Sequence, residues 1–354
     1  MKISSLMLVG FATALGVAAA GAQTGTTGTP QGAPAAKTAP SATPPLQLNS
    51  LDPSTKADPF PPVNPKYFTA PTPTVDTVNS FLKTLWGYDS NRIWRVEAIQ
   101  STAAPGVSKV VVFVSDRSPN AKVQTTAFFV TPDGKHAIAD SSGVISFGAT
   151  PFADNRKLLQ ARADGASRGA ASKDFLLVEF ADMQCPHCKE VQATMDQIVK
   201  DFPNARVVFQ SFPLVDIHPF AFKAAAYGYC VQKQKNDAFF PFAAAVFDTQ
   251  AALTPETGDQ TLKNAVTKVG LDPAAIDACA ATQAIKDQVN ASLKLGDEIG
   301  VDQTPLLAVN GHLLPLSQVP YETLKTIIAY QAVTDGVNSG ATTGGSVNPP
   351  TSGK

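Results

Sequence analysis

Hydrophobic and polar positions follow different rhythms along the chain, and each rhythm predicts a different element. Val75, Val78, Leu82 and Leu85 recur at spacings of three and four behind Pro73-Thr74, which predicts a capped amphipathic helix ending near Gly87. Trp94, Val96 and Ala98 then alternate with polar residues. The stretches 110–114 and 125–130 are rich in β-branched residues, and Pro132-Asp133-Gly134 is a turn sequence ahead of a short strand that opens at His136. One helix followed by an antiparallel sheet makes a small α+β domain, placed at 59–150. It carries no cysteine, and His136, beside a turn, reads as a surface residue.

The pattern changes after 150. Residues 152–163 carry Leu158 and Leu159 among alternating charges and read as a connecting helix. The Gly- and Ser-rich stretch that follows reads as a hinge, so 151–172 is assigned as a linker. An apolar run at 175–180 predicts a buried strand. Residues 189–202 place Val191, Met195, Ile198 and Phe202 on one helical face, and 206–210 predicts the next strand, giving a βαβ unit. Helical patterns with short breaks fill 219–299. A strand at 306–309, the Asn310-Gly311 hairpin turn, Leu313 and a helix at 321–330 complete a second domain over 173–332. It is an α/β sheet domain interrupted by a helical insert at about 217–300.

Composition changes this picture mainly at the two ends. Met1-Lys2, the apolar stretch 6–20 and Ala20-Gly21-Ala22 have the charged start, apolar centre and small-x-small site of a signal peptide, 1–22, cut ahead of Gln23. The stretch is short and alanine-rich for a retained bilayer span. Residues 23–58, rich in Thr, Pro, Ala and Gly, and residues 333–354 have too little apolar surface to offset ordering entropy, and are expected to be a disordered linker and tail. The expected location is periplasmic or otherwise extracytoplasmic, as a soluble protein. A hydrophobic fraction of 44% in 354 residues suffices for packed cores, while 28 Lys and Arg against 29 Asp and Glu leave no net field to attract nucleic acid.

Four cysteines are too few for a disulfide scaffold, so their placement carries the information. Cys185-Pro186-His187-Cys188 falls between the predicted strand and helix, the context in which Cys-x-x-Cys reads as a redox motif. Pro186 suits the first helical position, where its missing N–H is not needed, and leaves Cys185 as N-cap with its sulfur facing free backbone donors. The helix dipole supplies at most about 2 kcal/mol, roughly 1.5 pKa units, so a deeper depression requires direct N–H···S bonds and a cationic His187. A stabilised Cys185 thiolate favours the dithiol, weakens the Cys185–Cys188 disulfide and makes the oxidised protein a disulfide donor. Cys230 and Cys279 sit in helices of the insert. In an oxidising compartment they are a candidate structural disulfide, with two separate buried thiols as the other reading.

The run Val178-Glu179-Phe180-Ala181-Asp182-Met183-Gln184-Cys185-Pro186-His187-Cys188, with Thr304-Pro305 ahead of a late strand, resembles the thioredoxin superfamily and its DsbA-like branch. Cys-Pro-His-Cys is that branch's motif, and the helical insert is similar to it as well. The resemblance spans about 173–331 and implies an α/β thioredoxin fold with a helical insertion, preceded by the small α+β domain. It implies that Cys185 attacks and Cys188 resolves, and that Pro186 and His187 tune the redox potential. Glu179 matches the position of a buried acid that takes the proton of Cys188; a strand-end carboxylate reaching water is the alternative. Pro305 matches a cis-proline facing the disulfide, and Thr304 before it would offer its backbone to an extended substrate. DsbA itself carries valine there, and threonine agrees better with isomerase-like members.

Three functions follow for comparison. An exported oxidase would pass its disulfide to unfolded or reduced secreted proteins and, as the resemblance implies, be recharged by a membrane reoxidant of DsbB or VKOR type. A disulfide isomerase or reductase would use the cysteine-free N-terminal module to form a homodimer, in a layout similar to the dimerising arm of DsbC-like isomerases. A metal-binding or chaperone-like module would use Cys185, His187 and Cys188 as ligands, but the chain has no second Cys-x-x-Cys to complete the set. Pro186-His187 favours the oxidase, whereas Thr304 and the N-terminal module favour the isomerase. Neither a cofactor nor a metal ion is called for.

Overall fold

The computed structural model describes residues 59–139 and 144–341. The stretches expected to be a signal peptide (1–22) and a linker (23–58), and residues 342–354 of the expected tail, lie outside the described residues. Among the described residues no helix is long and apolar enough to cross a membrane.

Helix α1 (Val75–Trp86) starts where the Thr74 hydroxyl accepts from the Thr77 N–H at 3.1 Å, and it presents Val78, Phe81, Leu82 and Trp86 as one apolar stripe. The stripe packs on a five-stranded antiparallel meander in sequential order. Its strands are β1 (Arg92–Ser101), β2 (Ser108–Asp116), β3 (Gln124–Val130), β4 (His136–Ile138) and β5 (Val144–Ser146). The alternation predicted along β1 breaks at Glu97. A bulge between Val96 and Ala98 shifts the register, so Val96 and Ile99, three apart, both enter the core. Glu97 is buried there and paired with Arg95 at 2.9 Å. His136 lies half exposed beside Asp133 of the turn, at 2.6 Å.

The second sheet has the order β10-β9-β7-β8-β6. Strands β7 (Leu176–Ala181) and β8 (Arg206–Ser211) are parallel and joined through α3 (Pro186–Glu190) and α4 (Gln192–Asp201). Antiparallel neighbours complete it: β6 (Ala166–Gly169) on β8, β9 (Leu306–Val309) on β7, and β10 (His312–Pro315) on β9. Alternate strand residues serve opposite layers. Leu177, Val207, Leu307 and Val309 pack with Met195 and Ile198 of α4 and with Leu324 and Ile328 of α10 (Tyr321–Thr334). Val178, Phe180, Val208 and Ala308 pack with Leu159 of α2 (Ala153–Arg162) and with Leu295 and Ile299 of α9 (Gln283–Ile299). Between β8 and β9 lies the helical insert: α5 (Ala221–Gln234), α6 (Phe239–Asp248), α7 (Gly258–Lys268), α8 (Pro273–Ala280) and α9. Its core also takes in Met183, Cys185 and Cys188.

Three expected boundaries are corrected. The linker assigned to 151–172 belongs to the second domain, because α2 buries Leu159 under the sheet and β6 pairs with β8. Its glycines serve close approach rather than a hinge. A Cβ on Gly165 would stand 2.0 Å from the Phe209 carbonyl oxygen, and Gly169 holds φ at +83°. The single helix predicted over 189–202 is interrupted at Val191, so the cysteines ride on the short α3. The tail predicted from 333 begins later, since α10 continues to Thr334 and Val337 and Ala341 pack beside the Phe175 and Phe202 cluster. The two modules meet where the Tyr330 hydroxyl donates to the Lys83 carbonyl at 2.7 Å, an approach that a side chain at Gly87 would block.

Candidate active site

Strand β7 delivers the chain through Asp182, Met183 and Gln184 to Cys185, the N-cap of α3, with Pro186 in the first turn. Cys185 keeps extended backbone (φ −76°, ψ 122°), and its carbonyl accepts from the Cys188 N–H at 3.1 Å. Both sulfurs are free thiols in this structure. Cys185 is 5% exposed and Cys188 0%, so the first alone offers an edge to an incoming sulfur.

The two thiols are pushed in opposite directions. Hydrogen bonding from Cys188 outweighs burial and pulls Cys185 down to about 5, with smaller help from Thr304 and from the backbone N–H groups of Cys188 and His187. Burial, and then the neighbouring Cys185, raise Cys188 well above the ordinary thiol value. The Asp182 N–H opposes this by donating to Cys188 Sγ at 3.4 Å. The pair is therefore a thiolate beside a thiol.

The Thr304-Pro305 peptide is cis, and the Thr304 carbonyl lies 3.8 Å from Cys185 Sγ, in position to accept only when Cys185 is protonated. The His187 imidazole is mostly exposed and turned to Glu190, 2.9 Å away, and this carboxylate raises its pKa. Residue 187 acts on Cys185 through its backbone N–H, and the Cys185 sulfur in turn adds a small upward push to the imidazole through charge. Glu179 is 2% exposed, which removes the alternative of a carboxylate reaching water, and burial raises it to about 7.

Several residues that hold this site carry no sequence signal of their own. Gln250 of the insert donates to the carbonyls of Met183 and Cys185, both at 2.9 Å. Gln184 donates to the Leu253 carbonyl at 2.9 Å and accepts from the Phe220 N–H at 2.7 Å. Gln192 donates to Glu179. Asp182, buried, accepts from the N–H groups of Gln184 and Leu214 and pairs with His218 at 2.7 Å. His218 is thus part of the support beneath the cysteine loop. Cys230 of α5 and Cys279 of α8 are joined by a disulfide. Among the described residues no group of three or more His, Cys, Asp or Glu is arranged to hold a metal ion.

Sheet order, the cysteine pair at the end of β7 and the facing cis-proline converge on one family, and residues 163–329 match the family described as Thioredoxin. This segment is a thioredoxin domain. Over 58 residues the chain is 36% identical to the Na(+)/H(+) antiporter NhaA 1 of Salinispora arenicola, a match covering 16% of this chain and 9% of that protein. Over 145 residues it is 26% identical to the protein of the same description from Mycolicibacterium vanbaalenii, covering 41% of this chain and 23% of that one. The chain thus spans less than a quarter of the length of these curated relatives. Among solved structures it is similar to a periplasmic thioredoxin-like protein from Salmonella enterica serovar Typhimurium, at 21% identity, with 51% of this chain and 96% of that one covered and a TM-score of 0.43. It is also similar to α-DsbA2 from Wolbachia pipientis, at 20% identity, 49% and 94% coverage and a TM-score of 0.42. The thioredoxin domain carries the two neighbouring thiols Cys185 and Cys188, and the five-helix insert is clamped onto it through Gln184 and Gln250.

Proposed function

We propose that this protein is an exported thiol–disulfide oxidase that passes a Cys185–Cys188 disulfide to reduced secreted polypeptides. One observation carries the reading: the more open sulfur is the one stabilised as thiolate, while its partner is buried and held as thiol. A substrate thiolate attacks Cys185 Sγ, the Cys185–Cys188 bond breaks, and Cys188 leaves and takes a proton. A second substrate thiol, losing its proton, then attacks the substrate sulfur of the mixed disulfide, and Cys185 departs as thiolate. Two substrate thiols are oxidised by two electrons and the pair is reduced by two. Because Cys185 is a stable leaving group, the equilibrium favours the dithiol protein and the oxidised substrate.

Glu179 supplies or receives the Cys188 proton in this reading, and Thr304 and Pro305 bind the extended substrate backbone beside Cys185. A membrane reoxidant of DsbB or VKOR type restores the disulfide. The Cys230–Cys279 bridge supports an oxidising compartment. The test is the reduction potential of Cys185–Cys188 against a glutathione series. A potential well above that of the cytosolic glutathione pool is expected; one near it would overturn the oxidase reading.

One feature favours the isomerase alternative. Phe129, Ile138 and Val144 are aligned across β3, β4 and β5 and are 40%, 38% and 65% exposed, an apolar row suited to a second copy of the module. A solution mass of twice the chain, lost with Phe129→Glu, would move the reading towards a dimeric isomerase. A monomer supports the oxidase.

A further inference from the structure

We propose that Gln192 is the positioning residue of the proton relay at Cys188, holding the Glu179 carboxylate and the Cys188 backbone on one side-chain nitrogen. Its Nε2 donates to Glu179 Oε1 at 2.8 Å and to the Cys188 carbonyl at 2.8 Å. An amide nitrogen has two hydrogens, so both bonds are made at once and the group is fully used. The helix interruption at Val191 makes Gln192 the first residue of α4, from which its side chain reaches back to the Cys188 carbonyl. The inference deepens the proposed function and rests on its assumption that Cys188 exchanges a proton with Glu179.

The physical role follows from what an amide donor prefers. A donated N–H stabilises the carboxylate over the carboxylic acid, and it also fixes which oxygen remains free to meet a proton. Among the groups acting on Glu179, burial raises it and Gln192 is the largest influence that lowers it. Arg168 of β6 and Asp196 of α4 act in opposite senses and are paired with each other at 2.5 Å, so they largely offset. Gln192 is therefore the residue that keeps a fully buried carboxyl ionisable near neutrality while tying it to the segment that carries Cys188.

The step that reads this is closure of a mixed disulfide between Cys185 and glutathione. Cys188 gives its proton to Glu179 and its sulfur attacks Cys185 Sγ. The Cys185–glutathione bond breaks, and glutathione leaves as thiolate, to be protonated by water. The rate should rise with pH as Glu179 loses its proton. In Gln192→Met, which keeps length and removes the donor, the midpoint of that profile and the carbon-13 titration of the Glu179 carboxyl should both move up by about one pH unit. A hydrogen bond to a charged group is worth roughly tenfold in such an equilibrium, so closure at neutral pH should slow about fivefold. The Cys185 thiolate midpoint should stay in place. Gln192→Glu, which sets a second carboxyl beside the first, should move both readouts in the same direction and serves if the methionine variant does not fold.

An unmoved Glu179 titration overturns the inference, as does a moved titration with an unmoved closure profile. The carboxyl signal is assigned by its disappearance in Glu179→Gln. If Glu179→Gln itself leaves the closure profile unchanged, the assumed relay fails and the inference fails with it, whereas an unexpected reduction potential overturns the oxidase reading alone.

Discussion

Glu179 shows most directly what a single residue contributes here. Its folded pKa, raised to about 7 by burial, lies above the ordinary 4.5. The folded chain therefore holds a proton between those values that the unfolded chain has released, and the stability it contributes is lost as pH rises across that window. Glu179→Gln should remove that loss. The variant is expected to be more stable than the parent by about 3 kcal/mol above pH 7 and to show little difference below pH 4.5, while resolving mixed disulfides more slowly. Denaturant titrations on both sides of the window check this; an equal gain at both ends would contradict it. The cost of a carboxyl inside an apolar strand was legible in the sequence, as were both cysteines and the cis-proline. The supporting glutamines were not, because Gln184, Gln192 and Gln250 act on backbone carbonyls whose positions exist only after folding. The orientation of His187 towards Glu190 was illegible for a similar reason, since a rotamer decides it.

Among the elements, the helical insert is locked by Cys230 and Cys279, which join α5 to α8 across a separation of 49 residues. Closing such a loop removes denatured-state entropy worth about 4 kcal/mol. The double variant Cys230→Ala/Cys279→Ala should lose about that much in urea unfolding; a loss below about 1 kcal/mol would contradict a structural role. Elements with a clean period were readable from the sequence: α1 with its Thr74 cap, β2, β3, and the β7 and β8 pair. Those decided by packing were not. The stretch read as a hinge is an edge strand because its glycines let it approach β8, and the β1 alternation fails at a bulge that no residue type announces.

Over the whole molecule, two modules in the expected order are docked through α1 and α10, and near that junction the edge strand β10 buries a histidine. His312 stacks on Phe152 at 4.2 Å and lines the cavity between the modules with Phe81 and Ile145. Burial lowers its pKa to about 4, against 6.5 when free. As pH falls through that interval the unfolded chain takes up a proton first, so stability present above pH 6.5 is lost towards pH 4, by about 3 kcal/mol. His312→Leu should flatten this acid limb in thermal melts; an unchanged limb would contradict the assignment. The docking itself was not visible in the sequence, since it depends on Tyr330 meeting a carbonyl of a helix far away in the chain. Disulfide donation depends on the charge of one sulfur, Cys185 Sγ, in the intact reduced protein. Ultraviolet titration of its thiolate absorbance measures that charge, with the Cys185→Ser protein as blank. A midpoint at about 5 that vanishes in the blank is expected. A single transition near the ordinary thiol value of 9.0 would contradict it.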